Sequence, residues 1–260
     1  EATFIGDKSL SKRPMQRVIA PLTDMGAQFD SDHNKLPVKV FGTNELLPIT
    51  YKMPVASAQV KSAILLAALN SIGETSIIEN MPSRDHSEIM MRYFGFPVVS
   101  KVDDDGAHII TVKGDHNVKA RDVSVPVDPS SAAFIIVASL IAAQAGNKTI
   151  IKNVCINPLR VGLFEVLERM GAKITYQDER QVCGEQIADI IVEASDLQAV
   201  DVEPEIAVRM IDEYPILAIA AANAKGKTIM RGLQELRVKE SDRLQAVFDG
   251  LVACGVKSTI

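Results

Sequence analysis

"SAQVKSAILLAALNSIGETSII", residues 57–78, decides the fold. It is apolar nearly all round at helical spacing, breaks at Gly73 and continues as a short β-branched run. A helix without a polar face belongs inside a protein, covered on every side. The pattern returns as "DPSSAAFIIVASLIAAQAGNKTII" (128–151) and "DEYPILAIAAANAKGKTIM" (212–230). The three breaking glycines, Gly73, Gly146 and Gly226, stand 73 and 80 residues apart.

Amphipathic segments lie between these: "RPMQRVIAPLTDMGAQF" (13–29), "RDHSEIMMRYFGFPVV" (84–99), "NPLRVGLFEVLERMGAKITY" (157–176) and "SDRLQAVFDGLVACGVKSTI" (241–260). Each reads as a surface helix that ends at Gly and runs into a strand. Met15, Val18, Ile19, Leu22 and Met25 share one helical face, as do Leu159, Leu163, Val166, Leu167 and Met170. Pro14 and Pro158 suit a first helical turn, and Ser83 and Asn157 an N-cap. Gly26, Gly95, Gly171 and Gly255, at intervals of 69, 76 and 84 residues, suit a C-cap of positive φ. A period of about 75 residues is too long for a solenoid and predicts packed α/β subdomains. "AKGKT" (224–228) imitates the end of a phosphate-binding loop, but Ala221 stands where the first Gly is needed and a helix precedes it.

At 260 residues the chain has room for two domains, and 47% hydrophobic residues give it a sizeable core. A net charge of −5, 5% aromatics and no Trp exclude a general nucleic-acid binder. Any anionic ligand must be drawn by a local cluster of cations. Cys155, Cys183 and Cys254 are scattered and read as reduced thiols. His33, His86, His108 and His116 lack metal-ligand spacing, so no metal is expected. The longest apolar run, "AAFIIVASLIAA", has 12 residues, which is short of a membrane span. The opening "EATFIGDKS" is unlike a signal peptide, so the chain reads as cytoplasmic. Strand-like sequence runs off both ends, as in a piece cut from a longer chain.

The unusual polar residues gather at the expected helix starts. They are Arg13, Ser57 and Gln59, Arg84, Ser130 and Ser131, Asp212 and Glu213, and the run "RVKESDR" (237–243). Helix N-termini carry unpaired N–H groups and a positive partial charge, so several together would cradle phosphate and carboxylate. Each has a plainer reading as a cap, a surface charge or a local ion pair. Asp212 and Glu213 resist it most, because they precede a helix with no further charge until Lys225.

Taken together, "GDKSLSKRPM", "SAQVKSAILLA", "SRDHSE", "DPSSAAF", "NPLRVGL" and "MIDEYPILAIAAANAKGKTIMRGLQELRVKESDRL" resemble, in order, the motifs of the EPSP synthase family, the 3-phosphoshikimate 1-carboxyvinyltransferases. "SAQ" resembles the bacterial Ser-Ala-Gln subgroup, often tolerant of glyphosate. The resemblance implies a two-lobed α/β enolpyruvyl transferase fold of repeated βαβαββ subdomains with buried parallel helices. Residues 1–125 would form most of one lobe, on the shikimate 3-phosphate side, and 126–260 part of the second. The family chain is longer, and its N-terminal Lys-Ser motif, Gly-rich stretch and later Asp-His-Arg motif are absent here. An internal fragment, inactive alone, is therefore implied.

The implied reaction moves the enolpyruvyl group of phosphoenolpyruvate to the 5-hydroxyl of shikimate 3-phosphate and releases phosphate. No cofactor, nucleic acid or membrane is implied, and a monomer is expected. Position by position, Ser57, Ala58 through its backbone, Gln59, Arg84, Asp212 and Lys239 would hold shikimate 3-phosphate. Arg13, Gln59, Lys239 and Arg243 would hold phosphoenolpyruvate. Asp212 would act near the attacking oxygen and Glu240 as acid/base at the methylene carbon, with Lys239 beside it. "RVKESDR" then reads as a catalytic anion site rather than a solvated cap. The alternatives are a UDP-N-acetylglucosamine enolpyruvyl transferase, which typically uses a loop Cys, and a non-catalytic anion-binding fragment.

Overall fold

The repeat seen in the sequence is a topological repeat. The structure, a computed structural model, describes residues 1–114, 118, 120–142, 144 and 146–260; His116 lies outside them. The first stretch gives β1 (Ala2–Phe4), α1 (Gln16–Asp24), β2 (Gln28–Ser31) and β3 (Val38–Phe41), in an antiparallel sheet of order β1-β3-β2. Next come β4 (Thr50–Lys52), α2 (Ala58–Ala68), β5 (Glu74–Glu79), α3 (His86–Phe94), β6 (Val98–Val102) and β7 (His108–Lys113). This is one complete βαβαββ unit of sheet order β4-β5-β7-β6, with β4 parallel to β5 and the other pairs antiparallel.

The third stretch is α4 (Pro129–Ala142), β8 (Lys148–Cys155), α5 (Gly162–Arg169), β9 (Lys173–Val182) and β10 (Glu185–Glu193). Its sheet order β8-β10-β9 repeats β5-β7-β6, and the opening strand is reduced to a parallel bridge between Val127 and Val154. The last stretch is β11 (Asp201–Val202), α6 (Tyr214–Ala222), β12 (Ile229–Met230) and α7 (Arg243–Ala253), with β11 parallel to β12. By contacts the chain divides into two compact units, Glu1–Asp122 and Val123–Ile260.

Each unit has its own core. In the first, Met25, Ile64, Leu65, Ile77, Met91 and Val112 are buried. In the second, α4 and α6 pack with the expected face of α5, where Leu163, Val166, Leu167 and Met170 are at most 1% exposed. Gly26, Gly95, Gly171 and Gly255 close their helices at φ of 79–96°, a region only glycine enters cheaply.

Four details differ from the sequence reading. The N-caps of α3 and α5 are Asp85 and Val161, not Ser83 and Asn157. Asn157 instead accepts the Leu159 N–H at 2.8 Å in a turn that holds Pro158 outside the helix. Pro14 likewise precedes Met15, the N-cap of α1. The apolar helices are not covered all round among the described residues: Phe134 and Ile135 of α4 are 60% and 52% exposed. No strand follows Gly255, because residues 256–260 have no pairing partner among the described residues.

Lys61 was hidden in the apolar pattern. It is 1% exposed, and its ammonium meets Glu79 at 3.0 Å, Glu88 at 2.8 Å and the Ser83 carbonyl at 3.1 Å. One cation faces two buried carboxylates, and burial pushes the Glu88 carboxyl above its ordinary 4.5 despite the attraction of Lys61. The folded state therefore keeps the Glu88 proton where the unfolded chain has lost it, so this group's contribution to stability fades as pH rises above 4.5. Glu88→Gln is expected to flatten that part of the pH profile, measured by urea unfolding at successive pH values. An unchanged profile would remove Glu88 as its source.

Candidate active site

In the first unit the candidate residues stand on two helix starts. Ser57 is the N-cap of α2: its Oγ accepts the Val60 N–H at 3.5 Å and donates to Gln59 Oε1 at 3.3 Å. Ala58 opens the helix, where backbone N–H groups face outward without helical acceptors. Arg84, half-buried, sits just before the N-cap of α3. The two starts are tied by Lys61, one turn after Ser57, through the Ser83 carbonyl, and by a Ser62–Ser87 hydroxyl pair at 2.6 Å. Arg13 lies on another element, exposed in the turn after Leu10–Lys12.

In the second unit residues distant in sequence converge. The Arg243 guanidinium donates from Nε and Nη2 to the two oxygens of Glu240, at 2.6 and 2.9 Å, and from Nη1 to Asp212 Oδ1 at 3.1 Å. Lys239 Nζ stands 3.8 Å from the same Asp212 oxygen. These pairs, with the Glu240 hydrogen bonds leading, hold the Arg243 guanidinium proton even more firmly than usual. Asp212 is therefore not a helix cap; Glu213 occupies that position in α6.

The charged run also splits. Its outer pair forms the solvated cap of the plainer reading: Asp242 accepts the Gln245 N–H at 3.0 Å as N-cap of α7 and pairs with Arg237 at 2.8 Å. Lys239 and Glu240 precede α7 rather than starting it; Arg237 and Val238 end a 3-10 turn, and Arg243 is the first residue of α7. Lys239 and Arg243, 20% and 27% exposed, face Asp212 instead of open solvent.

A second buried cation stands beside Glu213, the neighbour of Asp212, and the sequence reading missed it. Arg160, 7% exposed, donates to Asp128 at 2.8 Å and Ser130 at 2.6 Å and stands 3.6 Å from Glu213. The Ser130 hydroxyl also donates to Glu213. Burial would raise the Asp128 carboxyl, but bonds from Ser131 and Ser130 and the charge of Arg160 bring it below its ordinary value. The starts of α4 and α6 are thus stitched as those of α2 and α3 are. Each unit uses one buried cation between two carboxylates. A cation within four residues of a helix that is otherwise apolar was the available signal for Lys61; for Arg160, inside "NPLR", there was none.

Two cations and two carboxylates in contact make a balanced cluster. A phosphate or carboxylate arriving at the Arg243 fork competes directly with Glu240 for it, so anion binding and release of a carboxylate are linked chemically. The "AKGKT" segment lies at the opposite end of α6, where carbonyls rather than N–H groups are exposed, which excludes it as a phosphate loop.

Comparison with known proteins gives the family. The profile of the family described as EPSP synthase (3-phosphoshikimate 1-carboxyvinyltransferase) matches residues 1–260. The 3-phosphoshikimate 1-carboxyvinyltransferase of Paramagnetospirillum magneticum is 55% identical over 97% of this chain and 56% of its own length. That of Novosphingobium aromaticivorans is 50% identical over 99% of this chain and 58% of its own. The chain thus spans a little over half of these curated relatives. Among solved structures, EPSP synthase from Acinetobacter baumannii superposes with a TM-score of 0.81 at 44% identity, covering 96% of this chain and 56% of that one. The enolpyruvyl transferase NikO from Streptomyces tendae, at 18% identity and TM-score 0.62 over 84% of this chain and 51% of its own, shares the fold. With its whole length matched by one family profile and half its residues identical to curated members, the chain belongs to the EPSP synthase family.

Proposed function

We propose that the protein transfers the enolpyruvyl group of phosphoenolpyruvate to the 5-hydroxyl of shikimate 3-phosphate, releasing phosphate. The observation that carries this reading is the convergence of Asp212 with Lys239, Glu240 and Arg243, two proton carriers held against two cations. The first unit supplies the shikimate 3-phosphate side through Ser57, the Ala58 backbone, Gln59 and Arg84. By the family resemblance Arg13 and Gln59 of the first unit, and Lys239 and Arg243 of the second, are assigned to phosphoenolpyruvate, and Asp212 and Lys239 to shikimate 3-phosphate.

The chemistry assigns the proton carriers. Glu240 gives a proton to the methylene carbon, making C2 electrophilic; the 5-oxygen attacks C2 and its proton passes to Asp212. Loss of phosphate, which takes up the proton held by Asp212, and return of the methyl proton to Glu240 restore the enol ether and both carboxylates. Phosphoenolpyruvate at Arg243 takes the place of Glu240 on the guanidinium and leaves that carboxyl facing the substrate. The cytoplasm, a reducing compartment, fits the three free thiols, and the protein acts as a monomer.

The test is stoichiometry in the full-length natural protein. Given both substrates, it should release one inorganic phosphate per enolpyruvyl product. Phosphate release without that product would overturn the reading.

Arg243→Lys separates geometry from charge. Arg243 grips a carboxylate by two parallel bonds, at 2.6 and 2.9 Å, a fork that Lys cannot reproduce. The KM for phosphoenolpyruvate should rise about tenfold or more, and that for shikimate 3-phosphate by much less. Equal changes in both would make Arg243 a structural residue.

A further inference from the structure

Ser83 is held from both sides. It is 4% exposed, its Oγ and N–H donate to the two oxygens of Glu79 at 2.5 and 3.4 Å, and its carbonyl accepts from Lys61 at 3.1 Å. It caps no helix, although its residue type suits a cap. Three polar bonds from a buried ion cluster therefore converge on one short loop residue, and the next residue is Arg84. Lys61 is itself anchored one turn into α2, its N–H bonded to the Ser57 carbonyl at 3.0 Å. The chain of contacts runs Ser57, Lys61, Ser83, Arg84.

We propose that Ser83, gripped by Glu79 and Lys61, is a positioning residue that fixes Arg84 relative to Ser57 and Gln59 and so sets affinity for shikimate 3-phosphate. This rests on the assignment of those three residues to that ligand. The buried cluster serves as a template for the subsite: a guanidinium on a loop loses affinity for a phosphate or carboxylate when its backbone wanders by even an ångström.

The experiment is calorimetric titration of the full-length protein with shikimate 3-phosphate, using wild type, Ser83→Ala, Ser83→Thr and Arg84→Ala. Ser83→Ala deletes one hydroxyl and leaves the apolar core intact. It should weaken the ligand by about 5–30-fold, while the KM for phosphoenolpyruvate stays within about twofold. Ser83→Thr, which keeps the hydroxyl, should recover binding to within about threefold. A merely structural role would lower stability and leave this split between ligands absent. Ser83→Ala binding as wild type, with Arg84→Ala weakened, overturns the positioning role alone. Arg84→Ala binding as wild type overturns the subsite assignment and the positioning role with it. If Ser83→Ala does not fold, Glu79→Gln removes the same grip and carries the same expectation and the same contrary result.

Discussion

Glu240→Gln in the full-length protein is expected to lower kcat by about 10²–10⁴-fold with both KM values little changed, the usual worth of a positioned acid/base. The side chain is half exposed and holds Arg243 through two bonds. As an ordinary surface ion pair it would be worth at most about 1 kcal/mol of stability and nothing in catalysis. Gln keeps the shape and one acceptor oxygen but cannot carry a proton to carbon. The two roles therefore separate under this one change. Single-turnover formation of the enolpyruvyl product at saturating substrates reads the chemical step directly. A variant within about threefold of wild type would contradict the proton-transfer role, because general acid/base catalysis is not worth so little.

Lys61→Met should unfold the first unit more readily by about 3–5 kcal/mol at neutral pH, the cost of leaving buried charge without its partner. Met fills most of the lysine's volume, so the loss is electrostatic. Glu79 and Glu88, each at most 2% exposed, would face one another without a cation. Acid should return part of the stability as the carboxyls take up protons, and Glu88→Gln added to Lys61→Met should do so at neutral pH. Urea unfolding of the three proteins checks this. A loss under about 1 kcal/mol for Lys61→Met would show that the cluster is not held by its charges.

The architecture was legible in the sequence because it repeats. Helices such as 57–68 are apolar on all faces, glycines recur at a near-constant interval, and both follow from packing one βαβαββ design several times. That Ser57 and Gln59 lie at the start of α2, and Asp212 and the 237–243 run at or just before the starts of α6 and α7, was legible for the same reason, since the repeat marks where each helix begins. What stayed hidden depends on contacts between residues far apart in the chain. Glu79 and Glu88 lie 18 and 27 positions from Lys61, and no local pattern says that they share its ammonium. Ser83 was misread as a cap because Ser83 and Asp85, both good capping residues, stand within three positions; Asp85 takes the cap and frees Ser83 for Glu79. The full burial expected of α4 failed at Phe134 and Ile135 because hydrophobicity shows that a face needs a partner, not which segment supplies one.

The helix starts of the first unit, held by one buried ion cluster, are the proposed site for shikimate 3-phosphate. Calorimetric titration of that ligand into the full-length protein and its Arg84→Ala variant tests this most directly. The expected result is tight binding by wild type and a loss of about 2–4 kcal/mol in the variant, the worth of a charge-assisted contact to a phosphate or carboxylate. Equal affinity in the two proteins would contradict it.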